Sequence, residues 1–488
     1  MDLSSLVGGG TPKQEQKPAM EYTAQAASPI VSGEVKLTMG ENALNATALF
    51  DAAEVAFAEI NELSFADYAV AVKADSGDYV FFRMGQWAQP FYETLVDAYN
   101  KAVLRSLFIK GGHILTAKGN YRYSEKDMSG SGSASVHVYE NNVAALPPDL
   151  TARRVPLCFV TAMDKGEYEL TLTLDTGEIY TFAKLGYDTE PFAAAVEKQI
   201  RALREKSLAA VKEIDPNLTA AQASQLAKLM PEGAAAPLGQ IAAIAPSFAE
   251  ALEEKLSSTR AAEYYTAFKD LCDPAQIYIG FRKNETGADS GGMAGGATAM
   301  LGGLTGGGNL PGAMGGMAGG LTSSENPPGA LGGTTAMPGN LTGGGNPTEA
   351  MGGMAGGNAS PIGNTEGAGT EKVSTDPYLL WLIAPSPDGK YAAVEFAQAD
   401  SATFVYRTDG DFDSFARQLN RALEAICFKR EVIRLSDDEL KKPENADYFM
   451  ATKRTASLQF VRANYAGRVI HASLEPWKRT LMEIWRGM

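Results

Sequence analysis

Histidine and cysteine are scarce in this chain: each occurs three times in 488 residues. His113, His137 and His471 stand far apart, with no HxxxH spacing, and Cys158, Cys272 and Cys427 form no CxxC pair. Structural zinc needs such ligands in close register, so a metal site is not expected. The odd number of thiols and their apolar neighbours read as reduced core cysteines, which fits a cytoplasmic protein. Long apolar runs are missing too. The strongest, Leu379 to Ile383, is far short of the roughly 20 residues that span a bilayer. The N-terminal residues have no basic stretch leading into an apolar one, so secretion by a signal peptide is not expected. Neither a GxSxG elbow nor a GxxxxGK[ST] loop occurs. We therefore expect no catalytic set, no cofactor and no enzyme activity. The formal charge of −15 disfavours specific nucleic-acid partners and nonspecific adhesion to anionic surfaces.

What is present is repetition. Three stretches combine a strand pattern, a glycine and an amphipathic helix opened by phenylalanine. The first contains Tyr79 to Phe82, Gly85, then Phe91, Leu95 and Tyr99. The second contains Ile179 to Phe182, Gly186, then Phe192, Val196 and Ile200. The third contains Thr403 to Tyr406, Gly410, then Phe415, Leu419 and Leu423. Apolar residues at four-residue steps predict one buried helix face in each. Phe82, Phe182 and Tyr406 with the three glycines and Phe91, Phe192 and Phe415 are the expected structural anchors. Turn compositions Asp75-Ser-Gly-Asp78 and Asp175-Thr-Gly177 sit between strand patterns and predict hairpins.

The organisation expected is α+β and multidomain, since one core does not grow to this length. Residues 1–28 read as a flexible tail, 29–109 as a first module, 110–133 as a Gly/Ser linker and 134–214 as a second module. Residues 215–275 are an Ala-rich helical insertion. A third module is split into 276–284 and 372–429 by a Gly/Met/Asn-rich tract, 285–371. In that tract Gly-Gly-Met-Ala-Gly-Gly recurs at 291–296, 315–320 and 352–357, and such glycine density predicts disorder and a spacer role. Residues 430–488 are read as a basic helical region. Its Lys453, Arg454, Arg462, Arg468, Lys478 and Arg479 interleave with aromatics and are candidate contacts for an acidic partner or an anionic membrane. Arg153 and Arg154 are read as a charged strand edge that could also meet an acidic partner.

Antiparallel strands closed by one C-terminal helix with an aromatic-led apolar face resemble the pleckstrin-homology superfold. The resemblance covers Val35–Phe108, Val136–Glu213 and the split third segment. It implies bent sheets plugged by a helix, and binding of phosphoinositides, peptides or proteins. Lipid-binding members of that superfold carry basic residues between the first two strands. The matching positions, Gly40 to Asn45 and Glu140 to Asn142, hold none, so phosphoinositide is disfavoured. The expected function is thus a non-enzymatic cytoplasmic scaffold for protein or peptide partners, with the tract lending reach between binding surfaces. Peripheral membrane association through the basic C-terminal helices is the alternative, and an enzyme of unrecognised type the third.

Overall fold

Residues 21–126, 128–283, 377–397 and 401–487 are described in the computed structural model. They form an α+β assembly of three antiparallel sheets and, among the described residues, twelve α-helices. None of these helices is long and apolar enough to cross a membrane. The whole predicted 285–371 tract and residues 1–20 of the predicted tail lie outside the described residues.

The first repeat comprises β1 (Glu21–Ala27), β2 (Gly33–Met39), β3 (Ala43–Thr47), β4 (Ala52–Ala56), β5 (Ile60–Ala66), β6 (Ala69–Ala74), β7 (Gly77–Phe82) and helix α1 (Ala88–Ser106). The second comprises β8 (His113–Ser124), β9 (Ser129–Tyr139), β10 (Asn142–Leu146), β11 (Arg153–Pro156), β12 (Val160–Lys165), β13 (Glu169–Leu174), β14 (Ile179–Ala183) and helix α2 (Thr189–Ile214). Both sheets have seven strands in one order, in which the last strand closes on the first: β4-β3-β2-β1-β7-β6-β5 and β11-β10-β9-β8-β14-β13-β12. The likeness extends to detail. A 3-10 turn, Phe57–Glu59 or Leu157–Phe159, precedes the fifth strand. The register then shifts just after that strand's first residue, at Ile60/Glu62 and Val160/Ala162.

Two stretches differ from the sequence expectation. Residues 21–27 are not tail but the central strand β1, whose Tyr22, Ala24 and Ala26 alternate into the core. The 110–133 stretch is not a linker but the long β8–β9 hairpin. Its glycines lie across from tyrosines: Tyr123 pairs with Gly130 and Tyr121 with Gly132. A Cβ on Gly130 would sit 2.6 Å from the Tyr123 ring, so the small residue makes room for the large one. Composition that reads as flexible is here half of a cross-strand packing pair.

Strand alternation also shifts one anchor. Phe81, fully buried, packs edge-on against Phe91, as Phe182 does against Phe192. Phe82 points the other way, half-buried with the Arg83 guanidinium over its ring. The repeat is therefore aromatic-x-x-x-glycine, with Phe81, Phe182 and Tyr406 four residues before Gly85, Gly186 and Gly410. Gly85 and Gly186 have φ of 56° and 62°, a left-handed turn that steers the chain from strand to helix.

Between the repeats and the third sheet come α3 (Ala220–Leu229), β15 (Ala236–Pro237), α4 (Leu238–Ile244), α5 (Pro246–Ser257) and α6 (Ala262–Leu271). The third sheet adds β16 (Tyr278–Lys283), β17 (Tyr378–Pro385), β18 (Tyr391–Phe396) and β19 (Ala402–Arg407), followed by α7 (Phe412–Ala425). Then follow α8 (Glu431–Arg434), α9 (Asp437–Leu440), α10 (Ala446–Arg454), α11 (Ala456–Ala463), β20 (Tyr465–Ile470) and α12 (Leu474–Trp485). Its order, β15-β16-β17-β18-β19-β20, is a meander. The strand before α7 pairs with β20 from the C-terminal region, where β7 and β14 instead close on the first strands of their sheets. The third unit shares the hairpin, glycine and Phe-led helix, but not the closure.

This sheet is covered on both faces, which explains the apolar run in β17. Leu380, Leu382 and Ala384 face the layer of α3–α6 and α12, while Trp381 and Ile383 face α7. Strands β16 and β17 pair antiparallel, with Lys283 opposite Tyr378. The glycine-rich residues thus leave and re-enter one hairpin. They connect two strands of one sheet, as the split third module predicts, and do not join two modules.

Candidate functional site

Buried charges bolt the second repeat to α7. Arg153 is 2% exposed and donates to Glu125 at 3.0 Å, to the Tyr123 hydroxyl at 2.6 Å and to the Ala152 carbonyl at 2.9 Å. Arg154 forks Glu424 of α7 at 2.7 and 2.5 Å, and Arg421 of the same helix donates to Glu178 at 2.7 Å. The Tyr180 hydroxyl lies 2.9 Å from Glu125 and 3.0 Å from Glu178. Burial works against the Glu178 charge, but Arg421 beside it, together with the Tyr180 and Thr176 hydroxyls, outweighs burial and holds the carboxyl below its usual range. Burial wins at Glu125, whose carboxyl is raised despite Arg153. The two arginines read as a charged strand edge are therefore internal, each neutralised within the chain. Forked arginine pairs of this kind fix orientation as well as energy.

Beside this junction opens a cleft of about 840 Å³. One wall is the C-terminal half of α2, presenting Arg201 and Arg204. The second is the 3-10 turn Leu157–Phe159 with the first residues of β12. Lys228 of α3, the 234–237 segment and Tyr278, Asp413 and Arg417 of the third unit complete it. Tyr278 donates to Asp413, fixing that rim. Asp175 faces the cleft from the β13–β14 turn. Its Oδ1 is buried and has no hydrogen-bond partner among the described residues. Burial raises its carboxyl to about 6, with Arg421 opposing the shift. Burial also pushes the Cys158 thiol well up, which removes it as a nucleophile near neutral pH.

The first repeat shows what such a place can hold. Asp75 stands in the β6–β7 turn as Asp175 does in the β13–β14 turn. Their backbone N–H groups reach the last residues of the matching 3-10 turns, Glu59 at 3.0 Å and Phe159 at 3.1 Å. Across the C-terminal half of α1 and the Phe57–Glu59 turn lies α10 of the chain itself, with Phe449 and Met450 in the core of the first repeat. Lys453 of α10 reaches Asp75 at 2.7 Å and the Ala58 carbonyl at 3.2 Å. Burial works against the Asp75 charge, but hydrogen bonds from Lys453 and Asn61 hold its carboxyl below the usual range. The next residue, Arg454, is buried and donates to the Tyr99 hydroxyl at 2.5 Å. The cleft beside α2 is the corresponding place in the second repeat, and there no described residue plays the part of Lys453.

The six basic candidates of the C-terminal region separate accordingly. Lys453 and Arg454 serve the first repeat, and Arg462 binds the Val432 carbonyl and, at 3.0 Å, Asp437. Arg468 and Arg479 are exposed and Lys478 is half-buried. Of the structural anchors, Phe91, Phe192 and Phe415 are fully buried and Phe182 and Tyr406 lie in their cores, whereas Phe82 gives its place to Phe81. The histidines surprise: His113 and His137, far apart in sequence, are 5.7 Å apart between ring centroids across β8 and β9, linked through the Thr116 hydroxyl. Burial and then the neighbouring His113 push the His137 ring down.

Sequence reasoning did not single out Asp175, Arg417 or Tyr278, because segments far apart in the chain converge on the cleft. One signal was available: the paired turns Asp75-Ser-Gly77 and Asp175-Thr-Gly177 at the same place in two repeats. No protein-family model matches this chain, and no curated protein matches it in sequence. The cleft with its unpaired carboxylate, defined by contrast with the filled site of the first repeat, is thus the chain's own evidence of function.

Proposed function

We propose that this chain is a non-enzymatic cytoplasmic scaffold whose second repeat receives a segment of a protein partner in the cleft beside α2, with a lysine or arginine of that segment pairing to Asp175. The observation that carries this reading is the contrast between Asp75, neutralised by Lys453 of the chain's own α10, and Asp175, which has no such cation. A cleft of this volume, lined by apolar residues such as Leu203, Leu208 and Leu229 together with charged and polar side chains, has the size of a binding site. Arg421 and Arg417 act on the Asp175 carboxyl electrostatically, but its Oδ1 accepts no hydrogen bond among the described residues; a partner's cation would supply that bond in a partly desolvated place, where charge-assisted bonds are strong.

The seven-stranded sheets that close last strand on first and lead into a helix support reading the first two repeats as pleckstrin-homology-like. The meander of the third sheet lends that reading no support there. The connections between the first two strands of each repeat are residues 28–32 and 125–128, not the Gly40–Asn45 and Glu140–Asn142 segments chosen from sequence. They hold one basic residue, Lys126, which lies over the Phe460 ring. Protein partners therefore remain favoured over phosphoinositides, and the engagement of Lys453, Arg454 and Arg462 within the chain draws weight away from a basic membrane face.

Selection of a phage-displayed peptide library on the full-length chain tests this. The expected outcome is enrichment of peptides carrying a lysine or arginine whose affinity falls at least about tenfold on Asp175→Asn. Enriched peptides that bind D175N as well as the parent would remove the proposal.

A further inference from the structure

The two seven-stranded repeats already contact each other in a directional way. The loop between β10 and β11 of the second repeat lies along the outer side of β5, an edge strand of the first. Leu63 N–H donates to the Pro148 carbonyl at 2.8 Å and Leu150 N–H to the Asn61 carbonyl at 3.1 Å. Glu62 and Asp149 form an antiparallel bridge, and the Tyr99 hydroxyl reaches the Asp149 carbonyl at 3.3 Å. A loop of one repeat thus serves as a short extra strand on the open edge of the other, one of the ways proteins cover an edge.

Each half of that contact exists a second time. Strand β12 is the edge strand of the second repeat, in the position of β5, with the same preceding turn and the same register shift. Thr161 and Met163 correspond to Asn61 and Leu63. No isolated bridge covers β12 among the described residues, and Thr161, Ala162, Asp164 and Lys165 are exposed. The β3–β4 loop of the first repeat holds the place of the β10–β11 loop. At its tip Leu49 and Phe50 are 85% and 90% exposed. Two adjacent large apolar side chains in water at a hairpin tip contribute nothing to the core of their own repeat, and such exposure marks an interaction surface.

We propose that the β3–β4 loop of one molecule docks on the β12 edge of a second copy, repeating between chains the contact that the second repeat makes on the first within the chain. The occupant is another copy because both halves belong to this chain and their way of joining is already realised once in it. The two surfaces differ, so the association is head-to-tail. The arrangement proposed propagates into open chains or closes into rings, each loop meeting the edge of a different neighbour, and is not the two-fold dimer in which both contacts form reciprocally.

Sedimentation velocity of the full-length protein over a wide concentration range tests this. The expected result is a series of species extending beyond dimer. The double variant Leu49→Asp with Phe50→Asp, whose positions are exposed and leave the core intact, should weaken association at least about tenfold, as loss of an interface anchor does. Met163→Pro removes the outward N–H of β12, a change that an edge strand tolerates, and should do the same. The decisive measurement mixes the two variants. One keeps a competent edge and the other a competent loop, so the mixture should form a dimer and stop there. A parent that stays monomeric, a loop variant that associates as the parent does, or a mixture that remains monomeric overturns the proposal. So does a parent that stays monomeric yet binds neutral phosphatidylcholine vesicles through Leu49 and Phe50, which would assign the loop to lipid.

Discussion

Asp75 and Asp175 occupy the same turn of two successive repeats, and only the first is bonded to a cation of the chain. The first is 2.7 Å from the Lys453 ammonium, with its carboxyl held low; the second has an unpartnered buried oxygen and a carboxyl raised to about 6. The backbone around them is the same, so the difference arises from what the rest of the chain brings alongside. α10 lies beside one and a cleft beside the other.

That difference sets a pH dependence. Asp175 binds its proton more tightly folded than unfolded, so between about 4 and 6 the native state holds more protons and stability falls as pH rises. The contribution is fully present below the unfolded value and gone above about 6. Asp175→Asn removes the buried charge, so we expect it to raise stability by about 1–2 kcal/mol at pH 7–8, with little effect near pH 4. Chemical denaturation of parent and variant at both ends of that window checks this. An equal effect at both ends contradicts the electrostatic cause.

Capture of a cationic segment should follow the same carboxyl. Its ionisation on raising the pH through about 6 creates the charge that the partner pairs with. Peptides selected on the parent should bind more tightly at pH 7.5 than at pH 5, and D175N should flatten that profile. Fluorescence anisotropy of a labelled peptide across the range reads both.

In the first repeat, Lys453→Met should cost about 1 kcal/mol, since the pair with Asp75 is partly exposed and the Ala58 carbonyl also loses a donor. A double-mutant cycle with Asp75→Asn should recover a coupling of about 0.5–1 kcal/mol. Zero coupling would mean that α10 is held by Phe449, Met450 and Arg454 alone.

The Phe-led helices and their glycines were legible in the sequence because large apolar residues at four-residue steps and an obligatory left-handed turn leave strong local marks. Strand β1 was not, because Ala24 and Ala26 carry its inward face and alanine alternation looks like nothing in particular. The β8–β9 hairpin was hidden by glycine and serine, whose reason lies across the sheet in Tyr121 and Tyr123. Pairing of β19 with β20 spans a helix and most of the C-terminal region, a distance at which no local pattern speaks. The cleft was hidden for the same reason. Asp175 is an ordinary turn aspartate until α2, α3, β15 and α7 surround it.

The hairpin connectivity of β16 and β17 makes a prediction about residues 285–371. Lys283 and Tyr378 are paired neighbours, so a short turn can replace the whole connection without moving either strand. The closure cost of a connection rises slowly with its length, by about 0.6 kcal/mol per doubling. The shortened chain should therefore keep its Tm or raise it, and should keep peptide binding in the cleft. A fall in Tm would show that the tract contributes contacts to the folded unit.

The junction between the second repeat and α7 offers the strongest stability test. Arg421→Met leaves Glu178 buried without its cation and should cost about 3–5 kcal/mol, because removing one partner of a buried pair strands the other charge. The carboxyl of Glu178 would then titrate at higher pH, so the loss should be greatest at pH 8 and shrink toward pH 4. Adding Glu178→Gln to R421M removes the stranded charge and should recover more than half of the loss, while Tyr180 keeps a polar neighbour. Urea unfolding of the three variants across that pH range decides the cause. If the double variant is no more stable than R421M, then α7 is held there through the packing of Arg421 on the Phe159 ring and not through its charge.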